Sequence, residues 1–180
     1  MSTKFTMYDI QEHSPLDAAA EISDPNIGSD RVAGSPSPTA QRRVGELTRG
    51  ERNRNPGNIR RNGTAWQGLV LDHPSDDEFC VFTDILFGIR ALAKTLLSYQ
   101  RTHGSKTLRQ IVHQWAETRH VDTAPYVSIC TARVGCAPDA EIDLEHQAIL
   151  TALVRAIIQH ENGRVSCRDI VPEAVRLALA

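Results

Sequence analysis

From Thr83 onward the apolar residues recur at helical spacing. Ile85, Ile89, Leu92, Leu96 and Tyr99 step by four, three, four and three, which predicts a long helix with one apolar face. Thr83 or Asp84 can cap its start, and His103-Gly104 ends it. A second helix is expected from about Lys106 to Thr118, with Leu108, Ile111, Val112 and Trp115 on one face. Asp122-Thr123 caps a third, whose Pro125 falls in the first turn, where a missing N–H does no harm. That helix carries Tyr126, Ile129, Cys130 and Val134, and Gly135 ends it. Asp143 then caps the longest and most apolar helix, Leu144 to His160 or Glu161, which its all-round apolarity places at the centre of the core. Pro172 opens a final short helix that runs to Ala180.

Upstream the period changes. Trp66 to Leu71 and Phe79 to Phe82 read as two short strands about a polar turn, a hairpin. Residues 48–64 read as loop with room for one helical turn. Residues 1–47, broken by Pro15, Pro25, Pro36 and Pro38 and lacking an apolar face, read as a disordered N-terminal tail. The expected fold class is therefore α+β, mostly α: one domain, 48–180, with a small β-hairpin.

Composition changes this picture little. The 180 residues carry a net charge of -2, which gives no global pull toward nucleic acid or membrane. Arginines do cluster, at 42, 43, 49, 52, 54, 60 and 61. No apolar stretch approaches the roughly 20 residues of a membrane span. No apolar core behind a basic start marks a Sec signal peptide. Cys80, Cys130, Cys136 and Cys167 form no zinc-type pattern, and their spacing leaves thiols or a Cys130–Cys136 disulfide open. No metal or cofactor is implied.

The chemistry concentrates in Arg52-Asn-Arg-Asn-Pro-Gly-Asn-Ile-Arg60, in Trp66-Gln67-Gly68 and in His160-Glu-Asn-Gly163. Dense Asn and Gly mark backbone held in an irregular shape. Asn also carries a donor and an acceptor, as sugar hydroxyls and acetamido groups do. Glu161 closes a helix, where the negative end of the dipole disfavours ionisation and suits a proton donor. Each residue has a plainer reading beside this one. Asn53, Asn55 and Asn58 bind sugar or serve the turn. Trp66, with Gln67 beside it, stacks on a sugar or joins the core. Tyr126 lines a cleft or is buried. Glu161 is a catalytic acid or an exposed helix end. Glu51 is a rival acid or a surface carboxylate. Asp72, Asp76, Asp77 and Glu78 read as solvated turn residues, and His160 as structural.

Arg49-Gly-Glu-Arg-Asn-Arg-Asn-Pro-Gly-Asn-Ile-Arg60 resembles a family of phage and prophage proteins. So do Trp66-Gln67-Gly68, Phe79 with Phe82, Phe87-Gly88-Ile89-Arg90-Ala91, Trp115-Ala116, Asp122-Thr123 with Tyr126, and His160-Glu-Asn-Gly163. These proteins are described as virion structural proteins or as lysozyme- and transglycosylase-like enzymes. The likeness spans about residues 48–165. It departs at Arg54, where Asn is expected, and at Glu117-Thr118, where prolines are expected. More distantly, the Asn55–Arg60 run with Trp66 and the 79–82 segment is similar to bacterial cell-wall N-acetylglucosaminidases. There the catalytic Glu precedes that run, whereas Glu161 follows it.

The resemblance implies a lysozyme-like fold in circularly permuted order and a peptidoglycan-cleaving glycosidase, of lytic transglycosylase or muramidase/glucosaminidase type. Glu161 would be the general acid. The partner would be peptidoglycan glycan strands, with a phage virion, a secretion machinery or an immunity protein as further partners. Such a protein would be made in the cytoplasm and act in the periplasm or cell wall, carried by a phage or, as a secreted effector, by a specialised secretion system. A non-catalytic virion or wall-binding protein of the same fold is the alternative. A nucleic-acid-binding module using the arginines is a third, disfavoured by the acidic remainder.

Overall fold

Six helices follow one another among the described residues: α1 (Arg49–Arg52), α2 (Ile85–Arg101), α3 (Leu108–Glu117), α4 (Thr123–Val134), α5 (Gln147–Asn162) and α6 (Val171–Leu179). The structure, a computed structural model, describes residues 46–72, 74–117 and 123–180. The expected tail, apart from its last two residues, and the expected Asp122 cap lie outside them.

The helical periodicity translates directly into packing. Leu108, Ile111, Val112 and Trp115 of α3 are all buried, as are Ile89, Leu92, Leu96 and Tyr99 of α2. On α5, Leu150, Leu153, Val154, Ala156, Ile157 and Ile158 are buried almost completely, because that helix meets α4 on one side and α6 on another. α2 in turn packs along α6, and α3 against α4.

Two details of α5 differ from expectation. It begins at Gln147, after the expected Leu144, because Asp143 spends its capping capacity on a turn of its own. Its carboxylate accepts the Glu145 N–H at 2.9 Å and its carbonyl the His146 N–H at 3.2 Å. The sixteen residues of α5 are also one fewer than those of α2. Gln100 of α2 holds this turn, donating to Ile142 O and accepting from Leu144 N, both at 2.8 Å.

The hairpin does not form. Antiparallel contact is limited to isolated bridges among the described residues, with no named sheet; two of them, Arg60 with Phe79 and Leu69 with Phe82, fall in this region. The reason lies in alternation along an extended chain. Glu78 O accepts from Arg61 N, Cys80 N donates to Ile59 O and Phe82 N donates to Asn53 O, all toward one side. Val81 O accepts from Val70 N and Thr83 N donates to Gly68 O, toward the other. Residues 78–83 are thus the middle of a three-segment strip, and each neighbour pairs too briefly to count as a strand.

That strip and α1 frame the irregular loop 53–58. Arg54 and Asn58 both lie in the left-handed region, at φ 51° and 50°. The loop also presses on α2 so closely that a Cβ on Gly88 would meet Arg54 O at 2.0 Å. Buried polar side chains hold the loop in place. Asn55, completely buried, donates to Ile59 O and Cys80 O and accepts from Ile59 N, each at 2.9 Å. Asn53 donates to Asp76 at 2.7 Å. Asp76 is not the solvated turn residue expected. It is buried, takes both arms of Arg49 at 2.6 and 2.8 Å, and accepts the Glu78 and Phe79 N–H groups. Arg49 beside it holds its carboxyl far below the usual carboxylate range, aided by those amides and Asn53.

Glu51 closes the other side. It forms a capping box with Thr48, accepts from Arg164 at 3.0 and 2.8 Å, and accepts from Ser166 at 2.6 Å. The Arg164 guanidinium, then the Ser166 hydroxyl and Thr48 N–H, lower its pKa from 4.5 to about 2.

Two stability predictions follow from this frame. Arg54 sits in a conformation that Asn adopts far more readily, so Arg54→Asn should stabilise the fold by about 1 kcal/mol in urea unfolding. Its one weak bond there, to Phe82 O at 3.3 Å, offsets little of that. A lower unfolding midpoint would show that the Arg side chain holds the loop. For Glu51, a folded pKa below the unfolded one means stability that is complete above pH 4.5 and drains away as pH falls toward 2. Glu51→Gln should cost roughly 1–2 kcal/mol at neutral pH and flatten the loss of stability across that window. An unchanged acid profile would remove Glu51 from the account.

Candidate functional site

The last turn of α5 carries two adjacent polar side chains that point different ways. Asn162 turns inward: it is buried, donates to Ile158 O at 3.0 Å and to Pro56 O at 2.7 Å, and accepts from the Thr48 hydroxyl. Gly163, at φ 73°, then ends the helix with its N–H on Gln159 O. Asn162 therefore ties the helix end to the loop and to the cap of α1. The three parts meet so tightly that a Cβ on Gly50 would stand 2.8 Å from Asn58 Oδ1 and 2.9 Å from Asn162 Oδ1.

Glu161 turns toward the surface and is half-buried. Its Oε2 accepts from Asn58 Nδ2 at 2.9 Å, across 103 positions of sequence. Its Oε1 accepts from the Tyr126 hydroxyl at 2.6 Å. Tyr126, on the first turns of α4, is itself buried and accepts from Trp115 Nε1 of α3 at 3.0 Å. With an indole N–H filling a lone pair on the phenol oxygen, the phenol proton is directed at Glu161. His160 lies over the Tyr126 ring, centroids 3.7 Å apart and planes 33° from each other. Four elements (α3, α4, α5 and the 53–58 loop) thus converge on one carboxyl of fixed orientation that solvent still reaches.

Of the residues singled out in the sequence, the structure brings together Glu161, Asn58 and Tyr126. The others go elsewhere. Asn53 and Asn55 are spent on Asp76 and on backbone, because both are buried and a buried amide must find partners. Glu51 is locked as an anion by Arg164, which leaves it no proton to donate. Trp66 packs against the core and is only partly exposed, with its Nε1 buried and without a partner among the described residues. Gln67 is exposed. Trp115, Asn162, Thr48 and Asp76 matter here, and no signal in the sequence gives them these roles. Trp115 was visible as a core position and in the Trp115-Ala116 resemblance, and Asn162 as part of a helix stop.

The described arginines of the cluster are exposed, but two of them are already paired. Arg49 and Arg60 flank the Phe79 ring at 4.3 and 5.1 Å, and both reach Glu78. This arrangement removes two of the cations that a nucleic-acid surface would need. The four cysteines are free thiols, so the Cys130–Cys136 bridge does not form. Burial pushes the Cys130 thiol up to about 12.

No helix among the described residues is long and apolar enough to cross a membrane. Two depressions do not count Glu161 among their lining residues: one of about 680 Å³ runs along Val127, Thr131 and Cys136, and one of about 550 Å³ sits over the start of α5.

No family model matches the chain. Over 126 residues it is 32% identical to Protein P5 of Pseudoalteromonas phage PM2, in an alignment that covers 67% of this chain and 74% of that protein. The chain belongs to the family of this phage protein.

Proposed function

We propose that the protein is a peptidoglycan-cleaving glycosidase, of lytic transglycosylase or muramidase/glucosaminidase type, with Glu161 as its acid. The observation that carries this reading is the convergence of Asn58 and Tyr126 on the half-buried Glu161 carboxyl at the rigid end of α5. With Glu51 committed to Arg164, the reading runs on a single carboxyl. Protonated Glu161 gives its proton to the glycosidic oxygen as that C–O bond breaks. The substrate's own hydroxyl or acetamido oxygen closes onto the anomeric carbon. In the hydroxyl case its proton returns to Glu161, and the product ends in an anhydro sugar; in the acetamido case water then adds at the anomeric carbon as the bond to the acetamido oxygen opens, its proton returns to Glu161, and the product has a reducing end. Tyr126 and Asn58 stabilise the carboxylate that appears between those two steps. The bacterial wall is the expected place of action, reached through a phage or a specialised secretion system, and the phage relative is consistent with the former.

One observation favours a second reading, a non-catalytic virion or wall-binding protein. The same two bonds to Glu161 also serve as a structural link between the loop and α4. The two readings separate on Glu161→Gln.

As an acid, Glu161 supplies about 10²–10⁴-fold in rate, and Gln cannot replace it. Glu161→Gln should therefore lose that much solubilisation of purified peptidoglycan. Its stability cost should be only about 1 kcal/mol, from a Gln amide facing Asn58 Nδ2. Tyr126→Phe should lose about tenfold, by removing one hydrogen bond to a charged group. Mass spectrometry of the fragments assigns the bond cut and tells anhydro from reducing ends. A wild-type protein that releases nothing from any peptidoglycan type, or a fully active Glu161→Gln, would sink the enzymatic reading.

A further inference from the structure

The opposite end of α5 carries a second set of groups that the Glu161 centre does not use. A cavity of about 550 Å³ opens there, lined among others by Arg133 of α4, His146, Gln147, Thr151 and Arg155, with Pro172 at its edge. Counting at 1.5 Å per residue, Gln147 lies about 20 Å from Glu161 along the helix.

Four observations point the same way. First, the N-cap residue of this sixteen-residue helix is His146, whose side chain makes no capping bond, so no side chain of the cap claims the first-turn N–H groups. Second, Thr151 is only 9% exposed and lines the cavity, and its hydroxyl finds no partner among the described residues. A mid-helix Thr commonly bonds back to the carbonyl four residues earlier, and this one does not. Third, His146 Nδ1 and Arg155 Nε are buried without a partner among the described residues. Buried polar atoms left unpaired are costly and rare, and here two of them lie at the same cavity. Fourth, no acidic side chain among the described residues lines it. Glu145 and Glu173, the nearest acids in sequence, are paired with Arg101 and Arg176.

We propose that this cavity is a phosphate-binding site. The groups present are donors, as an oxyanion needs: two guanidiniums, a hydroxyl, an imidazole and the helix N–H groups. Their charge also fits. Arg133 and Arg155 supply two positive charges, and a helix N-terminus adds about half of one, which suits a dianion better than a singly charged carboxylate. Arg155 is half-anchored already, donating to Arg168 O at 3.1 Å, which pre-sets its guanidinium. The cavity is roomier than a bare phosphate needs, so a phosphate monoester of a small organic alcohol fits as well as the free ion.

The test is calorimetric titration of the full chain with inorganic phosphate, glycerol 3-phosphate and acetate, at ionic strength held constant with chloride. Both phosphates should bind saturably and acetate should not. Tighter binding of glycerol 3-phosphate assigns an organic monoester, equal binding assigns the free ion, and either result upholds the site. Arg133 is exposed, so Arg133→Gln should leave the melting temperature unchanged and weaken binding about tenfold, the effect of one charge-assisted bond. Thr151→Val, nearly isosteric, should weaken it severalfold. Absence of saturation, acetate binding as tight as phosphate, or unchanged affinity in both variants would overturn the proposal.

Discussion

The structure depends on one buried side-chain amide, that of Asn162. Loop 53–58 is held by its own Asn53 and Asn55 on the side of the 76–80 segment and needs an anchor on the side of α5. It contains two non-glycine residues at positive φ, each costing on the order of 1 kcal/mol or more. It makes no sheet, and it lies against a helix start with no room for a single extra carbon. Such a backbone persists only when its surroundings over-determine it. Asn162 does this from the far end of the chain. One amide reaches Pro56 O of the loop, Ile158 O of its own helix and the Thr48 hydroxyl that caps α1. Removing it would leave a carbonyl and a hydroxyl unsatisfied in a place water does not enter.

The placement of Glu161 is a consequence of that anchor. Neighbours on a helix diverge by about 100°, so fixing Asn162 inward fixes Glu161 at the edge of the same junction. Asn58 then meets it because Asn58 is the loop residue driven to positive φ just past the anchored Pro56. Tyr126 meets it because the Trp115 indole and the His160 ring hold the phenol from two sides. The carboxyl's orientation is therefore inherited from parts that lie outside it. The same constraint sorts the two acids near the loop. Glu51, one turn after Thr48, falls on the side where Arg164 and Ser166 follow the helix stop. It becomes a fixed anion in the frame, whereas Glu161 faces neutral donors.

Much of the helical fold was legible because a 3.6-residue period needs only local information. α2, α3, α4 and α6 begin and end within a residue or two of where their caps and apolar faces place them, wherever those ends are described. The failures share a cause. The hairpin was inferred from two apolar runs about a polar turn, but residues 78–83 pair with residues 59–61 as well, and that partner lies outside any local window. Asp143 carries the signature of a cap, and only the turn it makes with Glu145 and His146 shows that it caps nothing helical. Asp76 looked like a turn carboxylate, since the Arg49 and Asn53 that bury it are more than twenty residues away. Within the site, Glu161, Asn58 and Tyr126 were named from residue type. Their meeting has no local signal, since Asn58 and Tyr126 lie 103 and 35 positions from Glu161, and Trp115 enters only as a core position and as part of the Trp115-Ala116 resemblance.

The Asn-rich run also shows why motif density is a poor measure of where chemistry lies. A sugar and a strained backbone ask for the same thing, a side chain with one donor and one acceptor in fixed geometry. Burial decides between them. Asn53 and Asn55 face inward and answer the backbone, and a completely buried amide bonded on both sides has nothing left for a ligand. Asn58, of the same type and three residues on from Asn55, is only partly buried and answers a carboxylate that solvent can reach. Most of the run is therefore scaffold, and its density reflects how much polar bonding an irregular loop needs. What sets Asn58 apart is its partner, supplied by a helix more than a hundred residues away. Position in the fold, rather than membership in the motif, gives it a place in the site.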